Sequence, residues 1–164
     1  MLFSKTRVLA DYETMAAYTI SLNYPTLESA KYQFRMLALE ASIDFSANIK
    51  CHVQNRSRYR NLEFEALSYR WGDPKENTPI CIRLTAYQGE EESDETPYLP
   101  CPVTRNLEQA LRALRLHDRD RLLWVDALCI NQKDIVERGQ QVRVMAQIYQ
   151  TCTRGLLWLG PEDA

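Results

Sequence analysis

The strongest constraint on this chain is the alternation of two periods in its second half. Leu107, Ala110, Leu111 and Leu114 recur at i, i+3, i+4 and i+7, which is one face of a helix. Asn106 stands before them as a candidate N-cap, with Gln109 three residues on as its box partner. Leu122-Leu123-Trp124-Val125 follows, a continuous apolar run of the kind buried on both faces of a sheet. Asp134-Ile135-Val136-Glu137 then opens a second helix, with an expected apolar stripe of Ile135, Val142, Met145 and Tyr149. Gly155 to Gly160 reads as a further buried strand. Helix, strand, helix, strand requires right-handed crossovers and a partly parallel sheet.

The first half carries shorter, alternating runs. Phe34–Leu39, residues 49–54, Phe64–Tyr69 and Ile80–Leu84 read as strands in antiparallel pairing, the third ended by Gly72-Asp73-Pro74. Pro102 to Asn106 reads as the lead into the helix. Arg56, Arg58 and Arg60 crowd a polar connection, and the acidic run from Glu90 to Glu95 reads as a solvated loop. Residues 1–30, with the turn signal Tyr24-Pro25, read as a tail or short helix packed on the domain. The fold class is therefore α/β, a mixed and partly parallel central sheet flanked by helices.

Composition removes several functions. The 164 residues suit one domain, and 20 Lys+Arg against 22 Asp+Glu exclude a globally basic nucleic-acid binder. No apolar stretch approaches the ~20 residues of a membrane span, and no secretory leader is visible. The five cysteines are dispersed with no C-x-x-C, and there are two histidines, so no metal site is expected. Such cysteine usage reads as cytoplasmic. Five glycines leave little for a phosphate cradle. Cys129 with His117 would make a thiol centre only if the fold joined them, and Cys129 reads as core. Fifteen of the 20 cations are arginine, whose planar fork suits recognition or buried pairing.

Two polar blocks fall just after strands, where ligands gather in open α/β sheets. The first is Ser68, Tyr69, Arg70, Trp71, Gly72 and Asp73; the second runs from Asp126 to Asn131 and Gln132. Gly72 would let the backbone turn closely, and Trp71 would either stack on a planar ring or plug the core. Asp126 ends an apolar run and needs a partner, with Arg70 or Arg138 in reach. Asn131 and Gln132 could bond a carboxamide or ribose, or cap the loop. Arg138 lies within the expected apolar stripe, which calls for a buried ion pair or a ligand contact. Glu137 stands three residues after Asp134, a capping-box place. Arg112, Arg115, Arg119 and Arg121 read as a solvated face, with binding of phosphate or an acidic partner as the alternative.

The segments Phe64-Glu-Ala-Leu-Ser-Tyr-Arg-Trp-Gly-Asp73, Leu123-Trp-Val-Asp-Ala-Leu-Cys-Ile-Asn-Gln-Lys-Asp134, Glu137-Arg-Gly-Gln-Gln-Val-Arg-Val-Met-Ala-Gln-Ile-Tyr149 and Trp158-Leu-Gly160 resemble the fungal heterokaryon incompatibility (HET) domain. The resemblance covers roughly residues 34–160, with Arg70 between Tyr69 and Trp71 and Val125 where isoleucine is common. It implies residues 31–164 as a HET domain at the front of a longer protein, acting in cell death when unlike hyphae fuse. The family is distantly similar to Toll/interleukin-1 receptor (TIR) domains, which implies a TIR-like or flavodoxin-like sheet. Some TIR domains cleave the nicotinamide–ribose bond of NAD with a glutamate on the helix after a central strand. On that comparison Glu137 is the catalytic candidate, NAD is a substrate rather than a cofactor, and Ser68 to Asp73, Asp126, Asn131, Gln132 and Arg138 bind it. The alternative is a non-enzymatic module acting by self-association or by recruiting a signalling partner.

Overall fold

The computed structural model describes residues 22–29, 33–57, 63–85 and 96–161. Seven strands form one sheet: β1 (Gln33–Leu39), β2 (Lys50–Ser57), β3 (Glu65–Tyr69), β4 (Asn77–Thr85), β5 (Leu99–Thr104), β6 (Arg121–Trp124) and β7 (Arg154–Trp158). Their order is β5-β4-β2-β1-β6-β3-β7. The described helices are α1 (Arg105–Leu114), the single turn α2 (Asp126–Cys129) and α3 (Ile135–Thr151). β6, β3 and β7 are mutually parallel, and β2 is parallel to β4. β1 opposes both its neighbours, and β5 opposes β4. The mixed, partly parallel sheet expected from the sequence is present. Its first half is not purely antiparallel, because β2 and β4 pair side by side.

Side chains alternate across the strands, so register assigns each residue to a face. Trp124 and Ala66 share one face, Leu123 and Glu65 the other. Helix α3 covers the first, where Tyr149 meets Trp124 edge-on at 5.6 Å. Helix α1 covers the second: its last carbonyl, Leu114, accepts from Arg121, whose Nε also bonds Glu65 at 2.5 Å. Leu107, Ala110 and Leu111 of this helix are buried in the core, each leucine contributing about 1.5–3 kcal/mol. The helix is capped by Thr104, whose hydroxyl accepts the Leu107 N–H at 3.3 Å, and not by Asn106.

Several other expectations are corrected. Pro102 to Thr104 belongs to strand β5, where Pro102 stands opposite Pro79. An edge strand tolerates proline because its outer amides need no ladder partner. β7 lies at the opposite edge and is not buried, with Leu157 at 69% exposure and Leu159 beyond it at 87%. The stripe on α3 holds only in part: Met145 and Tyr149 pack against the core, but Ile135 is 73% exposed and Val142 is exposed, whereas Glu137, Gln141 and Ile148 are buried. Of the arginines expected on a solvated face, Arg119 is exposed, whereas Arg112, Arg115 and Arg121 are half-buried. Arg112 and Arg115 bond the carbonyls of Asp44, Phe45, Ala47 and Asn48, holding the loop between β1 and β2.

The readings at 1–21, at Arg58 and Arg60, and at Glu90 to Glu95 lie outside the described residues. Residues 22–29 have no helix or strand and bury Leu22 and Leu27. Among the described residues no helix is long and apolar enough to cross a membrane.

Candidate functional site

The carboxyl ends of β6, β3 and β7 lie side by side, so whatever follows each strand meets at one crest. After β3 the chain turns at Gly72, whose φ of +85° suits glycine; a Cβ there would also come within 3.3 Å of the Asn106 Cβ. The turn presents Trp71, half-buried, and its indole N–H donates to the Asp126 Oδ2 at 3.2 Å. The other Asp126 oxygen accepts the Ala127 N–H at 2.8 Å. Gln132 is buried, with its amide nitrogen on the Asp126 carbonyl at 2.9 Å.

Asn106, at the start of α1, ties the crest together from the other side. Its Nδ2 donates to the Arg70 carbonyl, and its Oδ1 accepts the Trp158 indole N–H at 2.9 Å. Tyr149 donates to the Leu67 carbonyl at 2.9 Å. Burial, with the Asp126 charge adding to it against a hydrogen bond from Ser68, pushes the Tyr149 hydroxyl well up, so it stays protonated. Asn106, Tyr149 and Trp158 were not singled out as site residues from sequence. Asn106 looked like a cap and the other two like core.

A second polar cluster lies at the start of α3. Asp134 caps it, accepting the Val136 and Glu137 N–H groups at 2.9 Å each. The Glu137 carboxylate does not complete a capping box. It meets Arg35 of β1 with two contacts, 2.6 and 2.9 Å, and accepts the Asn131 N–H at 2.9 Å. Arg35 is 1% exposed and also reaches the Pro25 carbonyl at 2.6 Å and the Cys129 carbonyl at 3.4 Å. The Tyr24 ring lies 4.8 Å below its guanidinium.

Arg35 is the principal residue that sequence reasoning missed. One charge inside Phe34-Arg-Met-Leu-Ala-Leu39 requires a buried partner, as Arg138 does within the expected stripe of α3. Arg138 itself is half-buried and approaches the Gln132 carbonyl at 3.4 Å; the buried ion pair expected of it is Arg35–Glu137.

The candidate residues thus divide. Ser68, Tyr69, Arg70, Trp71, Gly72, Asp126 and Gln132 gather at the crest, whereas Glu137 and Asn131 belong to the Arg35 cluster. Asp73 is exposed and spends its carboxylate on the Lys75 N–H at 2.9 Å within a turn. Cys129 is fully buried, and burial pushes its thiol up to about 12, which leaves no thiolate for nucleophilic chemistry near neutral pH. Among the described residues no group of histidine, cysteine and carboxylate side chains could hold a metal ion.

A sequence model of the family described as "Heterokaryon incompatibility protein (HET)" matches residues 64–164. The chain is also 31% identical over 158 residues to the "Heterokaryon incompatibility protein 6, OR allele" of Neurospora crassa. That match covers 93% of this chain and 22% of the relative. The chain belongs to the HET family. It spans about a fifth of the length of the curated relative it matches. No solved structure matches it.

The match to the HET family starts at Phe64 and takes in the whole crest, both indoles and Asp126, together with Glu137. Arg35, the partner of Glu137, lies before the matched residues and within the span shared with the Neurospora protein's length of similarity. Chemically, the HET crest offers one carboxylate, two indole rings, amides from Asn106 and Gln132, and the exposed Arg70. That set suits a planar ring with hydroxyl and phosphate groups.

Proposed function

We propose that this chain is the signalling domain of a fungal incompatibility protein, committing cells to death after unlike hyphae fuse, and that its crest receives a nucleotide of the NAD class. The observation that carries the ligand reading is the pairing of Trp71 with Asp126 beside Trp158 with Asn106, at the joined ends of three parallel strands. Hydrolysis of NAD is the finer form of this reading and rests on the resemblance of HET domains to TIR domains. Catalysis by Glu137 would require its carboxylate to leave Arg35, and breaking such a buried pair costs about 3–5 kcal/mol. Asp126, half-exposed at the crest, is the better-placed carboxylate to touch a ribose.

The test is incubation of pure protein with NAD at high protein concentration. Free nicotinamide in proportion to protein is the expected result. Neither release nor binding of NAD or ADP-ribose, with the protein folded and concentrated, overturns the ligand reading.

A second reading is a module that acts by self-association without turnover. It is favoured by β7, the last strand of the sheet among the described residues, where Leu157 and the neighbouring Leu159 are exposed. Hyphal death unchanged by Asp126→Asn and lost on Leu157→Lys is the outcome this reading requires.

A further inference from the structure

We infer that Glu137 is a positioning residue: through Arg35 and residues 128–132 it holds the Asp126 carboxylate against the Trp71 indole. The importance of that contact rests on the crest being the ligand site, but the contact itself can be measured in the protein alone.

The path is short and made of hydrogen bonds. Asp126 opens α2, a helix of one turn. A helix this short has too few internal bonds to set its own orientation, so the groups that hold its ends must do so. At its far end the Leu128 carbonyl accepts from Tyr24 at 3.1 Å, and the Cys129 carbonyl accepts from Arg35 at 3.4 Å. Just beyond, the Asn131 N–H is held by the Glu137 carboxylate at 2.9 Å. The chain then doubles back on its start, the Ile130 N–H and the Gln132 amide both donating to the Asp126 carbonyl, at 3.2 and 2.9 Å.

Glu137 is the centre of this arrangement. Its two oxygens take three N–H donors, two from Arg35 and one from Asn131. Arg35 would otherwise be a buried, uncompensated charge, so Glu137 also holds in place the guanidinium that grips Cys129. A ligand approaching Glu137 would have to displace all three donors. The Asp126–Trp71 contact is 3.2 Å long and lies at the other end of the same turn.

The three tryptophans give a direct readout, because each indole N–H is in a different state. Trp71 bonds Asp126, Trp158 bonds Asn106, and the buried Trp124 Nε1 has no hydrogen-bond partner among the described residues. In a nitrogen-15 correlation spectrum, Asp126→Asn identifies the Trp71 signal. Glu137→Gln is expected to move that signal upfield, toward its Asp126→Asn position, while the Trp158 signal stays in place.

The paired variant Arg35→Met/Glu137→Leu removes both charges together and keeps the measurement available if Glu137→Gln fails to fold. It also removes the anchor on Asn131, so the same upfield movement is expected. A Trp71 signal that holds its wild-type position in a folded variant lacking the Glu137 carboxylate overturns the proposal. General loosening, with the Trp158 and Trp124 signals shifting equally, overturns it as well.

Discussion

The two long helices among the described residues flank the sheet by opposite means. Helix α1 buries Leu107, Ala110 and Leu111, and its polar residues look outward or grip a loop. Helix α3 buries Glu137 and Gln141 along with Ile148, while Ile135 and Val142 face out. Apolar periodicity alone orients α1 correctly, but on α3 only its Met145 and Tyr149 half, which packs on the core, while Ile135 and Val142 do not. The difference lies in what each helix meets. α1 buries apolar side chains of its own, whereas the start of α3 meets Arg35, and a buried guanidinium selects the face that carries a carboxylate. Gln141 continues that polar face, its amide donating to the Gln33 carbonyl at 3.1 Å.

The largest effect that would test this contrast is Glu137→Ala. It leaves Arg35 buried without its anion and is expected to lower unfolding stability by about 3–5 kcal/mol in urea titration. Adding Arg35→Met and exchanging the alanine for leucine should restore much of the loss. If the double variant is as weak as the single one, the face of α3 is not set by the ion pair.

On α1, Leu111→Ala opens a cavity, with an expected cost of about 2–5 kcal/mol and no rescue from any charge change. A smaller effect is expected at the crest. Gly72→Ala forces a residue with a Cβ into a left-handed conformation and against Asn106, at a cost of about 1–2 kcal/mol. The Trp158 indole should report the displacement of Asn106 by a change in fluorescence. The smallest effect separates the two helix faces. Ile135→Ser on α3 should change stability by within about 0.5 kcal/mol. A substantially larger loss would show that this residue is covered in solution.

Much of the fold was legible because its signals are local. Phe34–Leu39, Phe64–Tyr69 and the run before Asp126 are each apolar enough to have one home in a sheet. β5 was not legible, since Pro100 and Pro102 argue against a strand unless the strand is known to lie at an edge. The β2–β4 pairing was not legible either, because strand neighbours are set by the whole sheet and not by either run. At the site, the motif blocks located Trp71 and Asp126, and strand-end logic joined them. What could not be read was the partner of Glu137. Arg35 lies 102 residues away in sequence, and its meaning depends on β1 lying next to β6.

The arginine clamp on the loop between β1 and β2 has a practical consequence. Phe45 is 66% exposed and offers chymotrypsin the aromatic side chain it prefers. A protease, however, must draw several residues into an extended line along its cleft before it can cut. Here the carbonyls of residues 44, 45, 47 and 48 are already held by Arg112 and Arg115. Digestion of native protein should leave this bond intact, and Arg115→Ala should make it a nicking site while the sheet persists. Accessibility to solvent and susceptibility to cleavage are thus separate properties of this loop.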